Sequence, residues 1–182
     1  VPMGNRPHSP DLLRRLDHRT LYQSAEWQRS NATSATEFSA VAHAFGRQLV
    51  DVLEVPIGLI HIAVGGAPME AFLPTSHGLP ASIQASLVDW LEHPDYPNWC
   101  QQRAKAHLQH VLTDQRTDSP PHPFAPHALF RSGVRPLAQF GIRGVLWYQG
   151  ESNAPGANMQ TPASSERNTA LLRAVIRGFR SA

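Results

Sequence analysis

The chain has 182 residues, a net charge of +2 and only 16% Asp, Glu, Lys and Arg, a length that suits one domain with its own core. No Lys/Arg run or basic stripe interleaved with aromatics occurs, so nucleic acid is not expected as a partner despite a pI near 9.1; no apolar run approaches the roughly 18 residues of a membrane span, so no membrane is expected either. Cys100 is the one cysteine, which excludes an intrachain disulfide and a cysteine-based zinc site and leaves the compartment open.

Residues 1–35 mix Pro, Arg, His, Ser and Thr with few spaced apolar positions and read as an irregular N-terminal arm, in which Tyr22 and Trp27 are expected to be packed. Val1-Pro2-Met3-Gly4 has no apolar leader, and reads as a processed, trimmed or cloned start. The remainder, 36–182, reads as one domain. Ser34-Ala35-Thr36-Glu37 has the spacing of a capping box. Phe38, Val41, Ala42, Phe45, Leu49, Val52 and Leu53 follow at helical spacing, predicting a helix with one apolar stripe. Gly46 inside it costs about 1 kcal/mol relative to Ala, which points to a close packing contact; His43 beside the stripe reads as a packed histidine.

Val55-Pro56 ends that helix, and Ile57-Gly58-Leu59-Ile60-His61-Ile62-Ala63-Val64 reads as a buried strand. It runs into Gly65-Gly66-Ala67-Pro68-Met69-Glu70-Ala71-Phe72, where paired glycines let the backbone turn sharply or approach a ligand. A backbone amide left free at such a turn can bind an anion, although a plain tight turn fits the pair as well. Residues 81–93 and 98–111 predict two amphipathic helices. His107 and His110 share a face of the second, and without a third ligand signature they read as a solvated face, with no metal expected. Pro120, Pro121, Pro123 and Pro126 make 117–127 a rigid loop.

A second buried strand, Ile142-Arg143-Gly144-Val145-Leu146-Trp147-Tyr148, then runs into the polar cluster Gln149-Gly150-Glu151-Ser152-Asn153. Ligands gather at the carboxyl ends of strands in open α/β sheets, so this cluster is a candidate site, although Gly, Ser and Asn are also ordinary turn residues. A last helix is predicted over about 164–180. Two parallel-type strands joined by a crossover form an α/β pattern. A sheet of two strands leaves its edges open, which suggests that part of the sheet lies elsewhere.

The blocks Phe38 to Arg47, Val55 to Ile60, Gly65 to Phe72 and Gly144 to Ala154, in this order and spacing, resemble the sialate O-acetylesterase family, the last block being the most specific. The resemblance spans about residues 27–182 and implies a flavodoxin-like three-layer α/β/α SGNH-hydrolase fold, here an incomplete piece of it. It implies serine-dependent removal of acetyl groups from sugar hydroxyls with no metal or organic cofactor, and favours a periplasmic or secreted location. Gly66 matches the glycine whose N–H helps form the oxyanion hole, with Gly65 the fallback. Gln149 or Asn153 is the side-chain donor, and Glu151 orients neighbours or a substrate hydroxyl.

The family's Gly-Gln-Ser-Asn-Met block, which carries the nucleophile, and its Asp-x-x-His block do not occur in the chain, whose last histidine is His127. Gly150-Glu151-Ser152-Asn153-Ala154 approximates a nucleophile elbow. Pro155-Gly156 where a helix should open, and the lack of a downstream histidine, make Ser152 a site-lining or turn residue instead. The expectation is the central portion of an acetylesterase, inactive alone, with an acetylated sugar as substrate and a companion fragment of the same polypeptide supplying serine, aspartate and histidine. The alternatives are a non-catalytic carbohydrate-binding or scaffold domain and a plain α/β domain whose glycines are turns.

Overall fold

The computed structural model describes residues 21–22, 26–112, 122–154 and 161–182. Most of the N-terminal arm, Pro120 and Pro121 lie outside the described residues. Within them the chain is helical: α1 (Ala32–Thr36), α2 (Ala40–Leu53), α3 (Ala81–Val88), α4 (Asn98–Leu112) and α5 (Pro162–Ser181), with 3₁₀ turns at Met69–Phe72, Arg135–Gln139 and Glu151–Asn153 and a π-turn at Phe130–Val134.

The α/β/α sandwich expected from the sequence is corrected by this architecture, because no strand occurs among the described residues. Both strand candidates, 57–64 and 142–148, are irregular segments. Apolar side chains favour a strand only where a neighbouring chain completes the hydrogen-bond ladder and layers cover both faces. Here neither condition is met along most of their length: Ile60 is 39% exposed, Val145 48% and Leu146 47%. Only the ends nearest the polar cluster dock, with Ile62, Val64 and Trp147 packed against the core.

Helix boundaries follow local side-chain chemistry. Asn31 caps α1 through Thr33 N–H and Ser34 N–H, and Ser34 Oγ takes the Asn31 N–H in return. The capping box therefore sits three residues earlier than the sequence spacing suggested, and Ser39 caps α2 separately. Gly46 has the close contact its cost implied: a Cβ there would lie 2.6 Å from a Leu59 methyl carbon. The apolar stripe of α2 nevertheless stays open, with Val41, Phe45, Val50, Val52 and Leu53 all exposed. His43 is half-buried against Ser30, at 3.2 Å from its Oγ. Tyr22 packs and donates to Ile62 O at 2.7 Å, whereas Trp27 is exposed.

The core lies elsewhere. Met69, Ala71, Phe72 and Leu73 meet Ile83 and Leu87 of α3, Cys100 of α4, Phe124, Leu129, Phe130 and Val134, and Leu171 and Val175 of α5. Leu108 of α4 is also fully buried. Thr161 opens α5 with a capping box to Ser164, and Leu171, Ala174, Val175 and Gly178 mark its buried side at helical spacing. His107 is buried rather than solvated, its Nδ1 3.1 Å from His122 Nε2. Among the described residues, no helix is long and apolar enough to cross a membrane.

Candidate functional site

The two polar blocks singled out in the sequence meet in space. Gly65 and Gly66 form a turn closed by Ala67 N–H to Val64 O at 3.1 Å. Gly66 has φ +77°, and a Cβ would lie 2.4 Å from the Trp99 ring, so both conformation and space require glycine there. From the other block, Ser152 Oγ donates to Gly66 O at 2.8 Å. Gln149 Nε2 donates to Ala67 O at 2.9 Å and to Asn153 Oδ1 at 3.0 Å. Met69 N–H donates to Asn153 Oδ1 at 2.9 Å, and Asn153 Nδ2 donates to Glu70 Oε2 at 2.7 Å. The bonds to Gly66, Ala67, Met69 and Glu70 each join positions more than 80 residues apart.

Glu70 was not singled out by sequence reasoning, and it is fully buried, at 0% exposure. It sits on the 3₁₀ turn Met69–Phe72, whose other residues anchor in the core. Arg167 of α5 reaches it with Nη2 3.1 Å from Oε1 and also donates to Ser86 Oγ at 2.9 Å. Ser86 donates its own proton to Ile83 O at 2.7 Å. Asn168, one residue on, donates to Asn153 O at 3.1 Å. The one available sequence signal was weak: an acid in the block Pro68-Met69-Glu70-Ala71 flanked by apolar residues, which rarely tolerate a charge unless it is paired.

Glu151 is exposed, and its Oε2 accepts from the Gly150 N–H at 3.1 Å. It does not join the network, and Gly65 stands open to solvent, with no other atom within 4 Å of where a Cβ would lie. Gly66, Gln149, Ser152 and Asn153 are therefore brought together, and Gly65 and Glu151 flank them. A cavity of about 620 Å³ lies beside Gln149 and Gly150, lined by Met69, Trp147, Ser165 and Asn168 among others. Gln149 Oε1 is buried with no partner among the described residues.

Surrounding groups are held neutral. Burial pushes the Cys100 thiol up to about 12, with the Glu70 charge adding to the shift and the Ser152 hydroxyl opposing it. Its Sγ lies 3.5 Å from Gly66 O. Burial also raises Tyr96 well above an ordinary phenol, and its hydroxyl donates to Phe124 O at 2.5 Å. His127 is pushed down chiefly by burial, against a hydrogen bond to Leu73 O that favours its protonated form. Its backbone N–H donates to Glu70 O at 3.0 Å, in a left-handed conformation with φ 65°.

The chain's likenesses lie among carboxylic-ester hydrolases. It is 30% identical over 123 residues to the sialate O-acetylesterase of Mus musculus, covering 65% of this chain and 22% of that protein. It is 35% identical over 115 residues to the sialate O-acetylesterase of Homo sapiens, covering 63% of this chain and 17% of that protein. The chain thus spans about a fifth of the length of the curated relatives it matches, and it is similar to a part of those enzymes. No protein-family profile and no solved structure matches it.

Proposed function

We propose that this chain is part of a serine-dependent carbohydrate O-acetylesterase and supplies the oxyanion-stabilising half of its site. The observation that carries this reading is the hydrogen-bonded meeting of the Gly66 turn with the Gln149-to-Asn153 block, together with the likeness to sialate O-acetylesterases. Ester hydrolysis through a serine develops negative charge on the former carbonyl oxygen, and pre-oriented N–H donors stabilise it. No residue within the described part of the chain bonds to the Gly66 N–H. Both Gln149 amide protons are taken by Ala67 O and Asn153 Oδ1. Asn153 Nδ2 gives one proton to Glu70, and its second amide proton supports Asn153 over Gln149 as the side-chain donor in this reading.

The nucleophile and base come from Gly-Gln-Ser-Asn and Asp-x-x-His blocks carried outside this chain, on the same polypeptide or a companion fragment of it. Histidine takes the serine proton as the serine oxygen attacks the acetyl carbonyl, and Gly66 and Asn153 hold the oxyanion. The sugar alcohol leaves with the proton from histidine, and water, activated by the same base, releases acetate and regenerates the serine. Ser152, whose proton is committed to Gly66 O, positions the turn.

The test compares aryl-acetate hydrolysis by the 182-residue chain with that by a polypeptide joining it to both blocks. No turnover is expected from the first. In the second, Asn153→Ala should lower kcat by about 10²–10³ with little change in KM. Unchanged kcat would remove Asn153 from the reaction, and turnover by the short chain alone would remove the need for outside residues. Saturable sugar binding without turnover in the joined polypeptide would favour a non-catalytic carbohydrate-binding domain.

A further inference from the structure

The donors and acceptors around Glu70 can be satisfied in only one sense. Arg167 can only donate and the Glu70 carboxylate can only accept, and Nη2 meets Oε1 at 3.1 Å where Glu70 is fully buried. The second oxygen, Oε2, must therefore face a donor, and the group 2.7 Å away is Asn153 Nδ2. That choice turns Asn153 Oδ1 toward Met69 N–H at 2.9 Å and Gln149 Nε2 at 3.0 Å, both donors. Reversing the Asn153 amide would set its NH₂ against two donors and its oxygen against a carboxylate. The order then propagates to Gln149, whose NH₂ also meets Ala67 O at 2.9 Å. Ser86 closes the other end, accepting from Arg167 at 2.9 Å and donating to Ile83 O at 2.7 Å.

We propose that Arg167 and Glu70 form a polarity lock that fixes which end of the Asn153 amide faces which way, so that Glu70 is a positioning residue for that side chain. Only the purpose of the held amide rests on the esterase reading. The lock itself is a statement about hydrogen-bond direction and is tested without turnover.

Two isosteric substitutions and their combination test it. In Glu70→Gln, one oxygen serves Arg167 and the new NH₂ meets Asn153 Nδ2, donor against donor. In Asn153→Asp, a carboxylate oxygen meets Glu70 Oε2, acceptor against acceptor. Glu70→Gln with Asn153→Asp restores every match at unchanged net charge. The introduced glutamine accepts from Arg167 and donates to the introduced aspartate, which accepts from Met69 and Gln149. Urea unfolding of all four proteins supplies a double-mutant cycle, and hydrogen exchange of side-chain amides, read by NMR, supplies a local signal.

Each single substitution is expected to lower the unfolding midpoint or abolish folding, and the double to regain most of it. In Glu70→Gln the Asn153 Nδ2 protons should exchange roughly tenfold faster, the scale of a lost charge-assisted hydrogen bond. If Glu70→Gln is too unstable for this, folding of the double variant carries the test alone. Additive losses in the cycle, a double variant that does not fold, or Asn153 protons equally protected in Glu70→Gln would overturn the lock. In the joined polypeptide, the double variant should keep a loss in kcat at least as large as that of Asn153→Ala, because position 153 then carries no amide. Activity regained there would sink the role given to Asn153 while leaving the lock standing.

Discussion

Two parts of this molecule carry similar apolar residues and put them to opposite uses. From Ala40 to Val64, α2 and the segment after it present Val41, Phe45, Val50, Val52, Leu53, Val55 and Ile60, all exposed. From Ala67 to Leu108, Met69, Phe72, Leu73, Ile83, Leu87, Cys100 and Leu108 are all buried, the deepest at 0% exposure. The difference is the presence of partners. Residues 67–108 meet Phe124 to Val134 on one side and α5 on another, whereas α2 meets Leu59 at Gly46 and Ser30 at His43 while its apolar stripe stays exposed. An amphipathic stripe states what a helix can bury, and the fold decides whether it does. The polar site sits on the well-packed side, where 3₁₀ turns and buried charges have a rigid support.

The largest effect expected on the packed side is from Arg167→Met, which leaves the Glu70 carboxylate buried and unpaired. Breaking such a pair costs about 3 kcal/mol or more, so the urea midpoint should fall sharply; a change under about 0.5 kcal/mol would mean that water already replaces the guanidinium. Leu171→Ala should cost about 2–5 kcal/mol by opening a cavity in the core. Phe45→Ala on the exposed stripe should cost a few tenths. A ratio near one between these two in denaturant unfolding would erase the distinction between the halves.

Gly66→Ala should cost about 1–3 kcal/mol, since alanine tolerates a positive φ poorly and must displace Trp99. Intrinsic Trp fluorescence should shift with it. Val52→Lys with Leu53→Lys should leave stability in urea unfolding within about 0.5 kcal/mol of the parent, because both side chains already face solvent.

The smallest effect concerns His127. Its folded pKa lies below the ordinary value of 6.5, so the unfolded chain binds the proton more readily. Its contribution to stability is therefore complete above about pH 6.5 and is lost as pH falls from there toward the depressed folded value. His127→Asn, which accepts the left-handed backbone, should flatten the fall in stability as pH drops below about 6.5. An unchanged slope would place the titration in another group.

Much of the site is legible in the amino-acid order. A Gly-Gly pair after one apolar run and an amide-rich cluster after another mark the two segments that do meet, because tight turns and polar side chains at the ends of apolar runs are local features. Glu70 and Arg167 are not legible as a pair, being 97 positions apart, and nothing local tells an acid which distant helix will neutralise it. The strands failed for a related reason. Residues 57–64 and 142–148 have strand composition, but a strand exists only as one side of a ladder, and no ladder partner is present among the described residues.

Local chemistry along the chain suffices for the helices with their own caps and stripes, such as α5 from its Thr161 box to its Leu171 and Val175 face, and for the turn at Gly65 and Gly66, because these depend on neighbours a few residues away. Long-range packing settles which stripes are covered, that Glu70 is buried, and which way the Asn153 amide points. Those outcomes depend on desolvation and hydrogen-bond direction among groups from four separate segments, a physical condition that spacing along the chain does not encode.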